Sequence, residues 1–349
     1  MQLTQDQIEL QDLLRGFFAE HVTSAVVRKR IESPQAEQRE LLDLLSQLGL
    51  REGFCGSDAP YGAPELGILS VECGASLMPE PVCERLLCEG VFPRLLGAEE
   101  ASAYSAALGG KPTAVAPREC CSLKADAKGK AVSGEIAWSF GGADAETVLA
   151  VASVAGAERL VVFSKSAAGV SERVASSLDL TVRLRKYTLK KAPVFLLSEG
   201  ASATLLDLVE VIKASEAYGV ARRSLEITCE YVKTREQFSV PVGGFQAVQQ
   251  KLADSYAASE SLGALARFAA WAVVSSPEQR ALTSRAAIAH ASSVAPAVCE
   301  SCIQCLGGIG FTWEHDLHLY LRRAKMIAIA FPNSEARSLE LIGRAVTPA

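Results

Sequence analysis

The chain has 349 residues, 49% of them hydrophobic and 21% charged, with a formal net charge of −5. That balance excludes a disordered tail, because enough apolar side chain is present to bury a sizeable core. The net negative charge argues against nucleic acid as a partner, since phosphate recognition wants a basic face. The opening "MQLTQDQIEL" has neither the basic nor the apolar region of a secretory leader, and no uninterrupted run reaches the roughly 18 apolar residues of a membrane span. A cytoplasmic protein away from the membrane is therefore expected, with ten reduced, mostly buried cysteines rather than a disulfide framework.

Three zones follow one another. Residues 1–110 carry helical spacing: Thr4 and Gln7 form a capping box ahead of "IELQDLLRGFFAEHV", and Ser33-Pro34 suits the start of "QAEQRELLDLLSQLGL". Residues 111–200 switch to short apolar runs ("AVSGEIAWSF", "TVLAVASV", "RLVVFSK", "KAPVFLLS") separated by turn residues, as in a small β-domain. "ADAKGKA" reads as a hairpin turn there. Residues 201–349 return to helix in four segments: "ATLLDLVEVIKASEAYGVARRSLEITCEYVKTR", "FQAVQQKLADSYAASESLGALARFAAWAVV", "PEQRALTSRAAIAHASSVAPAVCESCIQCLG" and "SEARSLELIGRAV". The expected architecture is α+β: an N-terminal helical domain, a middle β-domain and a C-terminal four-helix bundle.

Near the end of the third bundle segment stands C-x-x-C-x-x-C, Cys299, Cys302 and Cys305. A ferredoxin-type site wants a fourth cysteine and a zinc site four ligands, so spacing of three on a helix favours packing over metal. His315 and His318 share a spacing of three but have no third ligand. No metal is expected. Gly307, Gly308 and Gly310 end the helix ahead of Phe311. Glycines there make either a tight turn or a place where backbone meets a ligand or a neighbouring chain.

"IQCLGGIGFTWEHDLHLYLRRAK" resembles the Gln-x-x-Gly-Gly-x-Gly-Phe segment of the acyl-CoA dehydrogenase family, and "YVKTREQFSVPVGGFQAVQQKLADSY" resembles that family's Arg-x-x-Phe-Gly…Phe-Gln…Leu-Ala-Asp block. The order of the three zones is similar too. The resemblance implies FAD, lying between β-domain and bundle, with a neighbouring subunit's bundle holding the ADP half. It implies Arg235 at the pyrophosphate, Phe238 on the adenine side, and Gln246, Gln304, Gly307 and Gly308 at the ribose and phosphates. Arginine forks and glycine backbones suit phosphate. "GFTWEHDLHLYLRRA" resembles the branch that oxidises bulky acyl-CoA thioesters, steroid side chains included, in which two different chains form α₂β₂ assemblies. Electron-transfer flavoprotein is the acceptor that the resemblance implies.

The likeness fails where the chemistry should be. The family's base is a glutamate in a Tyr-Glu-Gly-Thr turn; here the turn is "IAFPNSEARSLELIGR", Phe331 or Pro332 fills the slot, and Glu335 falls one turn later. Some members carry the base on the first bundle helix, where Val209 stands here with Glu210 beside it, so Glu210 is the candidate catalytic residue. Glu216, two turns on, reads as structural. "AVAPRECCSLKA" replaces the hydroxyl- and glycine-bearing loop that faces the flavin ring; Trp138 reads either as a flavin neighbour or as core, and Ser239 replaces a glycine. Three expectations result. The chain completes the FAD site of a homologous dehydrogenase in a heterotetramer, or it is a self-sufficient homo-oligomeric dehydrogenase using Glu210, or it is a non-enzymatic homologue without FAD.

Overall fold

The computed structural model describes residues 2–33, 45–56, 58–79, 81–126, 128–141 and 144–332, with Leu339 and Gly343. Helices come first: α1 (Gln5–His21), α2 (Ser24–Glu32), α3 (Leu50–Phe54), α4 (Ala63–Ser76), α5 (Val82–Leu86) and α6 (Ala98–Leu108). The capping box at α1 is real, with the Gln7 amide donating to Thr4 Oγ1 at 3.3 Å and the Thr4 amide to Gln7 Oε1 at 3.1 Å. Ser33 instead ends α2, its amide donating to Lys29 O at 2.9 Å. The helix expected after Pro34 lies largely outside the described residues.

The strands are β1 (Thr113–Val115), β2 (Cys121–Ala125), β3 (Ala131–Ser139), β4 (Thr147–Val154), β5 (Ala157–Ser164), β6 (Val170–Ala175), β7 (Leu184–Pro193) and β8 (Phe195–Leu196). They form one sheet in the order β6-β7-β3-β2-β4-β5-β8, with β1 parallel to β4. The "ADAKGKA" turn joins antiparallel β2 and β3. Strand alternation gives the sheet two apolar faces. Leu149, Leu160 and Val162 join the main core beside the helices, whereas Val148, Ala150, Val161 and Phe163 fill a second core with Tyr187 and Leu189.

The bundle comprises α7 (Ala201–Thr234), α8 (Gln246–Ser275), α9 (Arg280–Leu306) and α10 (Leu317–Ala330). Its fourth helix among the described residues is thus "LHLYLRRAKMIAIA", not the expected "SEARSLELIGRAV", which lies almost wholly outside them. The apolar stripe Leu317, Leu319, Tyr320, Ala324, Ile327 buries this helix. By length and composition, Pro277–Phe311 could cross a membrane, a signal that the search for uninterrupted apolar runs missed. Half of its most apolar window is buried, and the helix packs against α7 and α8 as part of the bundle.

The first half of α7 is buried almost all round, between the sheet, α4 and the other bundle helices. Its crossing with α4 is backbone against backbone. A Cβ on Gly74 would come 2.1 Å from Glu216 O, and one on Gly219 would come 1.9 Å from Val71 O. Only glycine allows that approach, and the approach fixes the middle turns of α7.

Candidate functional site

Two of the cavities along α7 bear on the expected cofactor and base. The first, about 580 Å³, opens at its C-terminal end between Arg235, the start of α8 and the end of α9. Arg235 caps α7, its amide donating to Tyr231 O at 2.9 Å. A two-strand hairpin follows, pairing Glu236–Gln237 with Val240–Pro241. Both turn residues have positive φ, Phe238 at 54° and Ser239 at 61°. This is the turn that favours glycine, so Ser239 in the expected glycine position costs strain.

The lining carries two cations, Arg235 and Lys251, and no carboxylate. Gln304, Gly307 and Gly308 line the opposite wall. Gly307, at φ 69° and ψ −143°, turns the chain out of α9 through a conformation open to glycine. The first turn of α8, Ala247 and Val248, also lines the cavity, so the positive end of that helix dipole faces it. Cations, turn backbone and a helix N-terminus together are a chemistry for phosphate. The residues present therefore fit the pyrophosphate and ribose of a dinucleotide such as FAD.

Of the six residues expected to bind the cofactor, Arg235, Gln304, Gly307 and Gly308 share this cavity. Phe238 and Gln246 do not line it. Phe238 stands on the hairpin tip, 90% exposed and edge-on to Phe245 at 6.4 Å. Gln246 is exposed at the first position of α8. Sequence reading missed Lys251, although it follows Ala247 by four residues and so shares its helix face.

The second cavity lies in the gap between β-domain, bundle and N-terminal helices, bounded by Glu84, Phe140, Leu184, Lys213, Glu216 and Arg323 among others. It holds about 40 Å³, room for a few waters against the roughly 300–1,000 Å³ of a small-molecule site. Buried charges fill the gap. Lys213 Nζ pairs with Glu84 and, at 2.7 Å, with Glu216 Oε2. Arg323 pairs with Glu216 Oε1 at 2.6 Å and with Asp179, and donates to Met78 O at 3.2 Å. Asp179 in turn accepts from the Thr181 amide at 2.9 Å and hydroxyl at 2.7 Å. Lys213 also lies 4.1 Å from the centre of the Phe140 ring, on which Trp138 stands edge-on at 5.1 Å. Burial opposes ionisation of Glu216, but Lys213 and Arg323 outweigh it and hold its carboxyl below the ordinary range. Burial likewise opposes charge on Lys213 and Arg323, and the facing carboxylates outweigh it, raising both. Glu216, Lys213 and Arg323 therefore stay charged at neutral pH, and the network ties three parts of the chain together across the gap.

Glu210 needs correcting as a candidate base. It is 2% exposed, paired with Arg285 of α9, and outside the lining of either cavity. A base must reach its proton, and an ion-paired carboxylate inside the bundle does not. At the usual slot Phe331 is buried in the main core and Pro332 follows it; Glu335 lies outside the described residues. Cys299 and Cys302 belong to the main core, with Cys299 Sγ 3.4 Å from Ser224 Oγ on α7. Burial pushes both thiols up to about 12. These cysteines pack one bundle helix on another.

Residues 204–347 match the family described as acyl-CoA dehydrogenase, C-terminal domain. Acyl-CoA dehydrogenase IpdE2 of Mycobacterium tuberculosis is 29% identical over 340 residues, 95% of each chain. The chain is thus similar to acyl-CoA dehydrogenases along nearly its whole length, and its matched residues 204–347 fit that family's C-terminal domain. Acyl-CoA dehydrogenase FadE34 of the same organism is 42% identical over 147 residues, covering 42% of this chain but 20% of FadE34. Among solved structures, a variant of the Tcur3481–Tcur3483 steroid ACAD superposes with TM-score 0.82 at 26% identity over 98% of each chain. The ChsE4–ChsE5 complex from Mycobacterium tuberculosis shares the fold at TM-score 0.85 and 24% identity, covering 100% of this chain and 99% of that one. Helices, then sheet, then bundle is therefore this family's arrangement of an acyl-CoA dehydrogenase fold, as the sequence led us to expect.

Proposed function

We propose that this chain is the non-catalytic partner in an FAD-dependent acyl-CoA dehydrogenase that desaturates a bulky, steroid-side-chain type of acyl-CoA thioester. It lends its first cavity to the flavin of a homologous subunit and holds no ring-side site of its own. The observation that carries this reading is the contrast between the cavities: about 580 Å³ with two cations at the end of α7, about 40 Å³ filled by ion pairs in its middle. Family likeness to steroid dehydrogenases solved as two named chains supports a heteromeric assembly.

Bound FAD supplies the oxidant, accepting the β-hydrogen as hydride while a carboxylate removes the α-proton. In this reading that carboxylate and the ring pocket belong to the partner. Arg235 and Lys251 bind the pyrophosphate, and Gln304 with the Gly307–Gly308 backbone orients the ribose–phosphate half. Phe238, exposed at the hairpin tip, supplies an aromatic surface for the adenine. Electron-transfer flavoprotein takes the electrons onward. Self-sufficiency through Glu210 loses its support in the Arg285 pair.

Flavin absorbance and native mass of the chain alone and with a co-expressed homologue test the proposal. A colourless chain that yields a complex with one FAD per two chains is expected. A yellow homo-oligomer with one FAD per chain and turnover lost in Glu210→Gln would overturn it.

A further inference from the structure

A third cavity, of about 370 Å³, lies where α1, α4, α7 and α8 meet, and its lining includes neither Arg235 nor the buried charge network. Small residues open it. Gly67 approaches Ser215 and Ala270, where an added Cβ would be 3.5 Å and 3.3 Å away, and Ala266 adds no bulk. Gly263 lets the Tyr218 ring lie flat along α8, since a Cβ there would come 2.6 Å from that ring. Pro64, Ile68, Val71, Ala266 and Ala270 make an apolar floor.

The polar side is one-signed. Arg15, Arg222 and Arg267 line the cavity and no aspartate or glutamate does, in a chain whose net charge is −5. Glu72, buried behind the lining, takes Arg15 at 3.3 Å and Arg222 at 2.8 Å. Arg222 also faces Glu226 at 3.5 Å, and Glu260 is engaged by the Tyr218 hydroxyl at 3.1 Å. Arg267 has a neutral partner instead: it hydrogen-bonds the Tyr218 side chain with its guanidinium carbon 5.8 Å from that ring's centre, and none of the ion pairs among the described residues includes it. A half-buried guanidinium above an apolar floor, with no carboxylate of its own, is half of a charge-assisted, two-pronged contact. The volume falls in the lower range of small-molecule sites, roughly 300–1,000 Å³.

We propose that this cavity binds a small anionic amphiphile, a single carboxylate on a compact apolar body, with Arg267 as the anchor for the carboxylate. The proposal is independent of the flavin reading, because no residue is shared between the two sites. Free acid and phosphate-bearing ligands would use the same arginine, so the test separates them.

Titration calorimetry on the full chain would compare decanoate, decanol and inorganic phosphate. Saturable binding of decanoate at a single site is expected, with decanol weaker by about tenfold and phosphate silent. Arg267→Met should weaken decanoate by about tenfold and leave decanol unchanged. Ala266→Leu should block both by filling the floor. Arg267 is only half-buried, so the first variant keeps the question open to refutation even if the second fails to fold, and its melting curve verifies the fold. Decanoate that does not saturate, decanol that binds equally well, phosphate that binds as tightly as decanoate, or an Arg267→Met chain that binds decanoate like the parent would overturn the proposal.

Discussion

Two contrasting regions of the molecule sit on one helix. Arg235 closes the C-terminus of α7, facing an open cavity with two cations, whereas Glu216 and Lys213, about 28 and 33 Å back along the axis, face a gap stopped with ion pairs. The first region is exposed, loop-built and cationic. The second is buried and spans three parts of the chain. The two regions rest on different residues and different energetics, so one can change while the other is kept, which is what the proposed shared site requires.

The comparison breaks most readily at Arg323. Arg323→Met leaves Asp179 and Glu216 buried with less compensation, and should cost about 3–5 kcal/mol in denaturant unfolding. A loss below about 1 kcal/mol would show that the gap is wetter and looser than its ion pairs indicate. The same network predicts an acid limit. Glu216 titrates below its ordinary 4.5 in the fold, so its contribution is complete above that pH and fades as pH falls through the lower, folded value. Melting temperatures taken downward from pH 5 should drop in the parent chain and drop less in Glu216→Gln, which starts lower.

At the open end the effect should fall on binding instead. Arg235→Gln should weaken FAD retention in the assembled complex by about 1.5–3 kcal/mol, read by flavin release, with unfolding of the chain itself nearly unchanged. The smallest expected effect is at the hairpin. Ser239→Gly should relieve the positive φ of 61° and raise stability by up to about 1 kcal/mol. No gain would mean that the turn is already compensated elsewhere.

Much of this was legible in sequence. Short apolar runs between turn residues marked β3, β4 and β5, and helical spacing marked α7, α8 and α9, because each buries a long apolar face. Short elements such as β1 and β2 were missed, since three to five residues carry too little period to read. The cradle was legible as a set because Arg235, Gln304, Gly307 and Gly308 sit in contiguous motifs. The stopped gap was not, because Glu84, Asp179, Lys213 and Arg323 are scattered along the chain and only the fold brings them together. Glu216 read as structural, and Glu210 as a candidate base; what set them apart was partners 107 and 75 residues away, Arg323 and Arg285, not local spacing.

The buried charges also make the closed state hard to reverse. Placing a glutamate at Phe331 would restore the family's base in name, but it would put a carboxylate into the apolar core, and the gap itself has no space for substrate. Removing any one member of the network strands its partners, so each single step back toward a working pocket passes through a less stable protein. Opening a working pocket here would take several coordinated replacements at once, so the helper role proposed above would behave as a one-way ratchet.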